Sequence, residues 1–322
     1  MQTDSHAEPC NICPRGCHTN RIDERGFCGV HRSIRLANIS LHFGEEPVIS
    51  GTQGSATFFF SGCTLRCAFC QNWQISHHSQ GRDISCETLA ELFFIAEQRG
   101  AHNINLVSAT QFTPDIIKAI TIARERYTLT IPFMWNSGGY DSIQTIDQLK
   151  AVGVSIFLPD LKFLNSQDSA YFCLAKDYPT IATQAILRML EDNPPSYNTS
   201  GLLQHGVIIR HLVMPGRLDI TFKVLQWFKT YAQGKAILSL MTQYTPVNIP
   251  NEQRVIPQRH ITAQEDAELL KMLEKLQIDD GFYQDLIIDN KWLPDFSHQT
   301  APFHNKLAQT IWQWNNIVSI LN

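Results

Sequence analysis

From Phe58 onward the chain alternates short apolar runs with stretches whose apolar residues recur at helical spacing. Residues 58–60, 103–108, 129–135, 154–158, 207–213 and 236–241 read as strands. Between them the period becomes that of helices. Ser85 is placed to cap a helix whose Leu89, Leu92, Phe93 and Ala96 share one face. Thr113-Pro114-Asp115 joins a capping hydroxyl, a proline at the first helical position and an acid in the first turn, and Ile116, Ile117 and Ile120 follow. Asp141 reads as the opening of the next helix, with Ile143, Ile146 and Leu149 on one side. Residues 167–175, 180–190, 222–231 and 263–276 are helical by the same criterion. Pro132 inside the third run argues against a fully paired strand there. Residues 34–56 read as short β structure, with Glu45-Glu46-Pro47 as a charged, solvated turn and His42 as a loop histidine.

The alternation amounts to about six strand–helix units, an α/β pattern with parallel strands and right-handed crossovers. Such a sheet either rolls into a full or partial barrel or opens into a doubly wound sheet. In a barrel the chemistry gathers at the carboxyl ends of the strands. Polar residues do follow each run: Ser108-Ala109-Thr110-Gln111, Asn136-Ser137-Gly138-Gly139, Asp160-Leu161-Lys162 and Thr242-Gln243-Tyr244. Arg210 and His211 lie within the fifth run and point to opposite faces, so at most one faces the interior. The chain divides into an N-terminal segment (1–56), a barrel (57–260) and a C-terminal helical extension (261–322).

Nine cysteines change this picture, because they are bunched. Cys63, Cys67 and Cys70 follow the first strand with spacing C-x3-C-x2-C, and Phe69 precedes the last. Three thiolates can hold three irons of a [4Fe-4S] cube, normally held by four, and leave one iron open. The alternatives are three buried thiols, or a zinc knuckle drawing a fourth ligand from His77 or His78. Cys10, Cys13, Cys17 and Cys28 form a second group with tight Pro and Gly turns, which suits zinc or an auxiliary iron–sulfur cluster. Free or redox-paired thiols are the third reading.

Composition narrows the setting. Of 322 residues, 43% are hydrophobic and 17% charged, as in ordinary globular chains. A net charge of −4 offers no broad attraction to nucleic acid or anionic lipid. No apolar run approaches the roughly 18–20 residues of a membrane span, and residues 1–9 lack a signal-peptide core. Bunched thiols in such a chain point to metal in a reducing, cytoplasmic setting, with an oxygen-sensitive site.

The run Ser61-Gly-Cys-Thr-Leu-Arg-Cys-Ala-Phe-Cys-Gln-Asn72 resembles the signature of the radical S-adenosylmethionine (SAM) superfamily. Within it the chain is similar to the pyruvate formate-lyase activating enzymes and, more closely, to the PflX-like iron–sulfur proteins. That likeness extends from Cys10 to His260 through Cys10-x2-Cys-Pro-Arg-x-Cys17, Gly44-Glu-Glu-Pro47, Asp160-Leu-Lys162, Ile209-Arg-His-Leu-Val213 and Met241-Thr-Gln-Tyr244. The resemblance implies a partial (β/α)6 barrel in which Cys63, Cys67 and Cys70 hold the cluster and SAM chelates the open iron. One-electron cleavage of SAM then yields a 5′-deoxyadenosyl radical that abstracts hydrogen from a substrate.

By the same resemblance, Phe69 packs beside the cluster and Asp160 and Lys162 contact SAM, while Ser108, Thr110, Asn136, Ser137 and Arg210 are candidate SAM contacts by their place at the strand ends. Asp160 and Lys162 match the family segment Asp-Leu-Lys, whereas Ser108-Ala109-Thr110 stands where activating enzymes carry Gly-Gly-Glu. The implied partners are a one-electron donor such as flavodoxin or ferredoxin and a protein or peptide substrate. Activation of a glycyl-radical enzyme and modification of another peptide or small molecule both fit. A non-catalytic iron–sulfur electron carrier is the reading from another class. The aromatics near Trp292 and Trp314 are expected to pack a C-terminal cap.

Overall fold

The computed structural model describes residues 9–286, 290, 293–298, 300–303 and 307–315. After an irregular segment that carries four cysteines come β1 (Ile34–His42), α1 (Pro47–Ser50), β2 (Ser55–Phe60), α2 (Trp73–Ser76) and β3 (Arg82–Ile84). The regular alternation follows with α3 (Cys86–Gln98), β4 (Ile104–Val107), α4 (Thr113–Tyr127), β5 (Phe133–Ser137), α5 (Ile143–Ala151) and β6 (Val154–Pro159). Then come α6 (Ser166–Cys173), α7 (Tyr178–Leu190), β7 (Ser196–Tyr197), β8 (Leu203–Leu212), α8 (Leu218–Tyr231), β9 (Ile237–Met241), α9 (Ala263–Leu276), β10 (Gly281–Tyr283) and β11 (Ala308–Gln313).

The sheet order is β10-β9-β8-β6-β5-β4-β2-β1-β11, and β2, β4, β5, β6, β8 and β9 run parallel. Those six appear in sequence order. A doubly wound sheet would reverse direction part-way; an unreversed order makes every crossover turn the same way, so the sheet curls into a partial barrel. Strands covered on both faces are buried along their whole length, as in β2, where all of Ser55–Phe60 is buried. β1 runs antiparallel to β2 and extends the sheet towards β11.

Local chemistry sets the helix ends. Ser85 Oγ accepts the Thr88 N–H at 3.1 Å, as its position implied. Thr262 and Glu265 form a reciprocal capping box on α9. Two boundaries differ from the sequence reading. β5 begins at Phe133, after Pro132, whose carbonyl still accepts the Ile104 N–H at 3.0 Å. Ser142, not Asp141, caps α5 by accepting the Thr145 N–H at 3.0 Å, which frees Asp141 for another task. Beyond α9 the chain adds two strands that periodicity did not reveal: β10 parallel to β9 and β11 antiparallel to β1. Phe296 is fully buried and packs edge-on against Phe59 at 5.4 Å, and Trp314 Nε1 donates to the Phe296 carbonyl at 3.0 Å. Trp292 lies outside the described residues.

Candidate functional site

The carboxyl ends of all six parallel strands open into one cavity of about 260 Å³. After β2 come Cys63, Cys67, Phe69 and Cys70; β4 contributes Ser108; β5 contributes Asn136 and Ser137. Asp160 and Lys162 follow β6, Arg210 and Leu212 come from β8, and Met241 and Gln243 from β9. The distribution expected of a barrel site is therefore the one observed.

The cysteine loop is held from several sides. Arg66 and Ala68 N–H groups donate to the Cys173 and Phe172 carbonyls at 3.2 and 2.8 Å, pinning the loop to the end of α6. Phe69 packs against Phe163 and Phe172, with ring centroids 6.1 and 6.3 Å away. Gln111 braces the turn before the thiols: Nε2 donates to the Ser61, Gly62 and Ser108 carbonyls at 3.0, 3.1 and 2.8 Å. The Leu65 N–H points at Cys63 Sγ (3.4 Å), Ser76 Oγ lies 3.2 Å from Cys70 Sγ, and Cys173 Sγ lies 3.3 Å from Cys67 Sγ. Donors directed at sulfur suit cluster ligands, whose potentials depend on such contacts. Burial pushes Cys63 up to about 12 and Cys70 up to about 11, and Cys67 adds to both. Cys67 itself stands well above the thiol range, through Cys173 first and burial second. Left alone these thiols stay neutral; a bound cationic group is what would draw off their protons.

Lys162 and Asp160 form an ion pair in the cavity wall. Burial works against the Lys162 ammonium, but the field of Asp160 opposes it, and Lys162 is held charged well above the ordinary lysine range. The Tyr178 hydroxyl fixes the segment, accepting the Lys162 N–H at 2.9 Å and donating to the Asp160 carbonyl at 2.7 Å.

Three expectations are corrected. Thr110 does not line the cavity; it is buried in the turn after β4, and Oγ1 donates to Asp141 Oδ1 at 2.7 Å. Asp141 also accepts from Ser137 Oγ at 2.5 Å and Trp135 Nε1 at 3.4 Å, so Ser137 reaches the wall with its hydroxyl already committed. Burial raises the Asp141 carboxyl, and these donors oppose the rise. Second, Glu45 and Glu46 are no solvated turn. They clamp Arg210, with Glu46 Oε1 and Oε2 2.8 and 2.6 Å from the guanidinium and Glu45 paired to the same Nη2. Arg210 faces the interior, in keeping with at most one of the two doing so, but its charge is already matched. Third, His42 lines the cavity rather than a loop. His211 faces away: Nδ1 donates to the Leu161 carbonyl at 2.7 Å, which leaves Nε2 to accept from Thr221 Oγ1 at 3.0 Å. His77 and His78 are not among the residues lining the cavity. Cys173 was not singled out beforehand, since it lies outside the cysteine motif, and Gln111 was named only as part of the polar run after the second strand.

Residues 57–222 match the model of the Radical SAM superfamily. The chain belongs to that superfamily. The chain is also 31% identical over 278 residues to the uncharacterised protein MJ0674 of Methanocaldococcus jannaschii, covering 84% of this chain and 75% of that one. A shorter likeness, 31% over 86 residues, links it to the uncharacterised protein MJ0808 of the same organism. Among solved structures, methylornithine synthase (PylB) superposes with a TM-score of 0.44 at 13% identity, over 66% of this chain and 59% of that one. Streptococcus suis SuiB bound to precursor peptide SuiA gives 0.48 at 13%, over 68% and 46%. The chain thus spans about half the length of these two solved structures. Radical SAM membership implies catalysis with a [4Fe-4S] cluster and SAM and an external electron donor. No helix among the described residues is long and apolar enough to cross a membrane.

Proposed function

We propose that this chain is a radical SAM enzyme in which Cys63, Cys67 and Cys70 hold the [4Fe-4S] cluster and SAM takes the remaining iron. The observation that carries the reading is convergence: three thiols and the polar ends of six parallel strands share one cavity. When bound, the cluster and SAM supply one-electron cleavage of the sulfonium and a radical able to take hydrogen from a substrate. The chain's own work is binding and exclusion. Of the cations lining the cavity, Arg210 is spent on two carboxylates, whereas Lys162 answers only Asp160. Lys162 is therefore the point charge for the SAM carboxylate, and Asp160 the acceptor for its amino group. Ser108 and Asn136 suit the ribose and adenine. Phe69, seated on Phe163 and Phe172, keeps water from the thiols.

The motif run from Cys10 to Tyr244 supports placement in the PflX-like group, beside the activating enzymes. We read the chain as an N-terminal cysteine segment (1–56), the barrel (57–260) and a C-terminal extension (261–322), working in the reducing cytoplasm with a flavodoxin- or ferredoxin-type donor. Its substrate is a protein or peptide, a glycyl-radical enzyme among the candidates. Spectroscopy separates this reading from that of an electron carrier. Added SAM should change the electron paramagnetic resonance (EPR) spectrum of the reduced cluster in the parent, and Cys63→Ala should abolish that response. A reduced cluster indifferent to SAM would mean a carrier.

A further inference from the structure

Beside the strand-end cavity lies a second one, of about 290 Å³. The sheet builds it. β10 extends the sheet past β9, and the register sets Arg210 of β8, Ser239 of β9 and Phe282 of β10 side by side. The turn before α1 supplies Glu45 and Glu46. His42, Glu45, Arg210, Met241 and Gln243 line both cavities, so whatever occupies the second borders the first.

The charged residues lining the second cavity are Glu45, Glu46 and Arg210. Their side chains are 9, 5 and 13% exposed. Arg210 Nε and Nη2 donate to Glu46 Oε1 and Oε2 at 2.8 and 2.6 Å, and Nη2 also pairs with Glu45 Oε2. Two carboxylates share one guanidinium, and one negative charge is left over. Lys162, the other cation of the first cavity, is paired with Asp160. His42 Nδ1 accepts the Gly44 N–H at 3.2 Å, and burial holds the ring below the ordinary imidazole range, so it stays neutral at pH 7. A surplus buried charge is costly until a counter-ion meets it.

The free acceptor sites say which cation fits. Both Glu46 oxygens are taken by the guanidinium. Glu45 gives Oε2 to Arg210, and Oε1 accepts from Asn105 Nδ2 at 3.0 Å. A carboxylate has about four lone-pair sites, so single sites remain on Glu45 but no open edge for a bidentate fork. That suits a compact ammonium rather than a second guanidinium. Gln284 adds an acceptor: Nε2 donates to Gln243 Oε1 at 2.8 Å, while its own Oε1 is buried with no hydrogen-bond partner among the described residues. Phe282, Met241 and Pro47 supply apolar surface for an alkyl stem.

We propose that this second cavity is the substrate's, and that it takes a primary ammonium on an alkyl stem, as a lysine side chain presents it, with Glu45 as the counter-ion. The inference rests on the radical SAM reading of the first cavity and adds the chemical class of what is bound. The shared wall then sets the stem of the amine beside the cavity in which that reading puts SAM.

The test is calorimetric titration of the full chain, reconstituted anaerobically with its cluster and SAM. The probes are N-acetyl-lysine methylamide, its norleucine and glutamate counterparts, and n-butylamine. The lysine probe should bind about 10- to 100-fold more tightly than the norleucine one, which keeps the stem without the charge. Weaker binding of butylamine than of the lysine probe assigns the amine to a peptide and equal binding to a free amine; either supports the cavity's chemistry. Glu45→Gln removes the surplus charge while Glu46 still holds Arg210 through both oxygens, so most of the lysine preference should vanish. Should that variant not fold, the parent series decides alone. Norleucine bound as tightly as lysine, glutamate preferred, no saturable lysine binding, or an undiminished lysine preference in folded Glu45→Gln would each overturn the proposal. The SAM-induced EPR change is read separately. A chain that answers SAM and ignores lysine loses only this inference, and one that binds lysine but not SAM keeps the ammonium site and loses the radical reading.

Discussion

Glu45, Glu46 and Arg210 show what one buried charge group does to the barrel floor. Burial raises the Glu46 carboxyl, yet Arg210 outweighs it and holds it below the ordinary range. Removing the cation strands two carboxylates. Arg210→Met should therefore cost about 3–5 kcal/mol in urea unfolding, and adding Glu45→Gln and Glu46→Gln should recover much of it. A single-variant cost below about 1 kcal/mol would show that the pair is solvated after all. The sign with pH follows from the depressed carboxyl: its stabilisation is complete above about pH 4.3 and is lost as pH falls through the lower folded value. His211 acts over a higher window. Burial lowers it to about 4 from 6.5, so between those values the unfolded chain binds a proton that the folded chain does not. Stability should fall as pH drops from 6.5 towards 4 and stay flat above, by on the order of 3 kcal/mol in all. Thermal melts across pH check this, and His211→Asn should show a shallower slope. At this scale the sequence was legible where a motif is local: Cys63, Cys67 and Cys70 line one cavity at the end of β2, where their spacing put them together. It was not where a partner is remote: Glu46 meets Arg210 across 164 positions and Cys67 meets Cys173 across 106. Thr110 was misplaced because a short turn after β4, not the strand period, decides which hydroxyl faces inward.

At the scale of elements, the loop between β2 and α2 depends on how closely the N-terminal segment can approach it. Gly62 has φ +76°, and a Cβ there would sit 2.6 Å from the Cys28 carbonyl oxygen. Gly201 has the same φ of +76° with nothing within 4 Å of a Cβ. Both alanine variants bear the left-handed backbone cost of about 1–2 kcal/mol. Only Gly62→Ala must also push two loops apart, so it should lower the melting temperature clearly more than Gly201→Ala. Equal shifts would mean that the segment gives way freely. The helices were largely readable beforehand because their caps are local: Ser85 and the Thr262–Glu265 box lie beside the turns they satisfy. β10 and β11 were not, since three-residue and edge strands take their pairing from distant partners, β9 and β1.

For the molecule as a whole, the order of the parallel strands turns scattered polar residues into one site. Periodicity alone left barrel and open sheet both standing; the unreversed order β2-β4-β5-β6-β8-β9 decides between them. That order delivers Cys63, Ser108, Asn136, Asp160 and Arg210 to the same end, where we propose that the cluster and SAM bind. The most direct test is 5′-deoxyadenosine formation from SAM and dithionite under strict anaerobiosis, comparing reconstituted parent with Cys67→Ala. The account predicts product from the parent and none above background from the variant. Formation at the parent rate by Cys67→Ala, or no product from a parent with its full iron content, would contradict it.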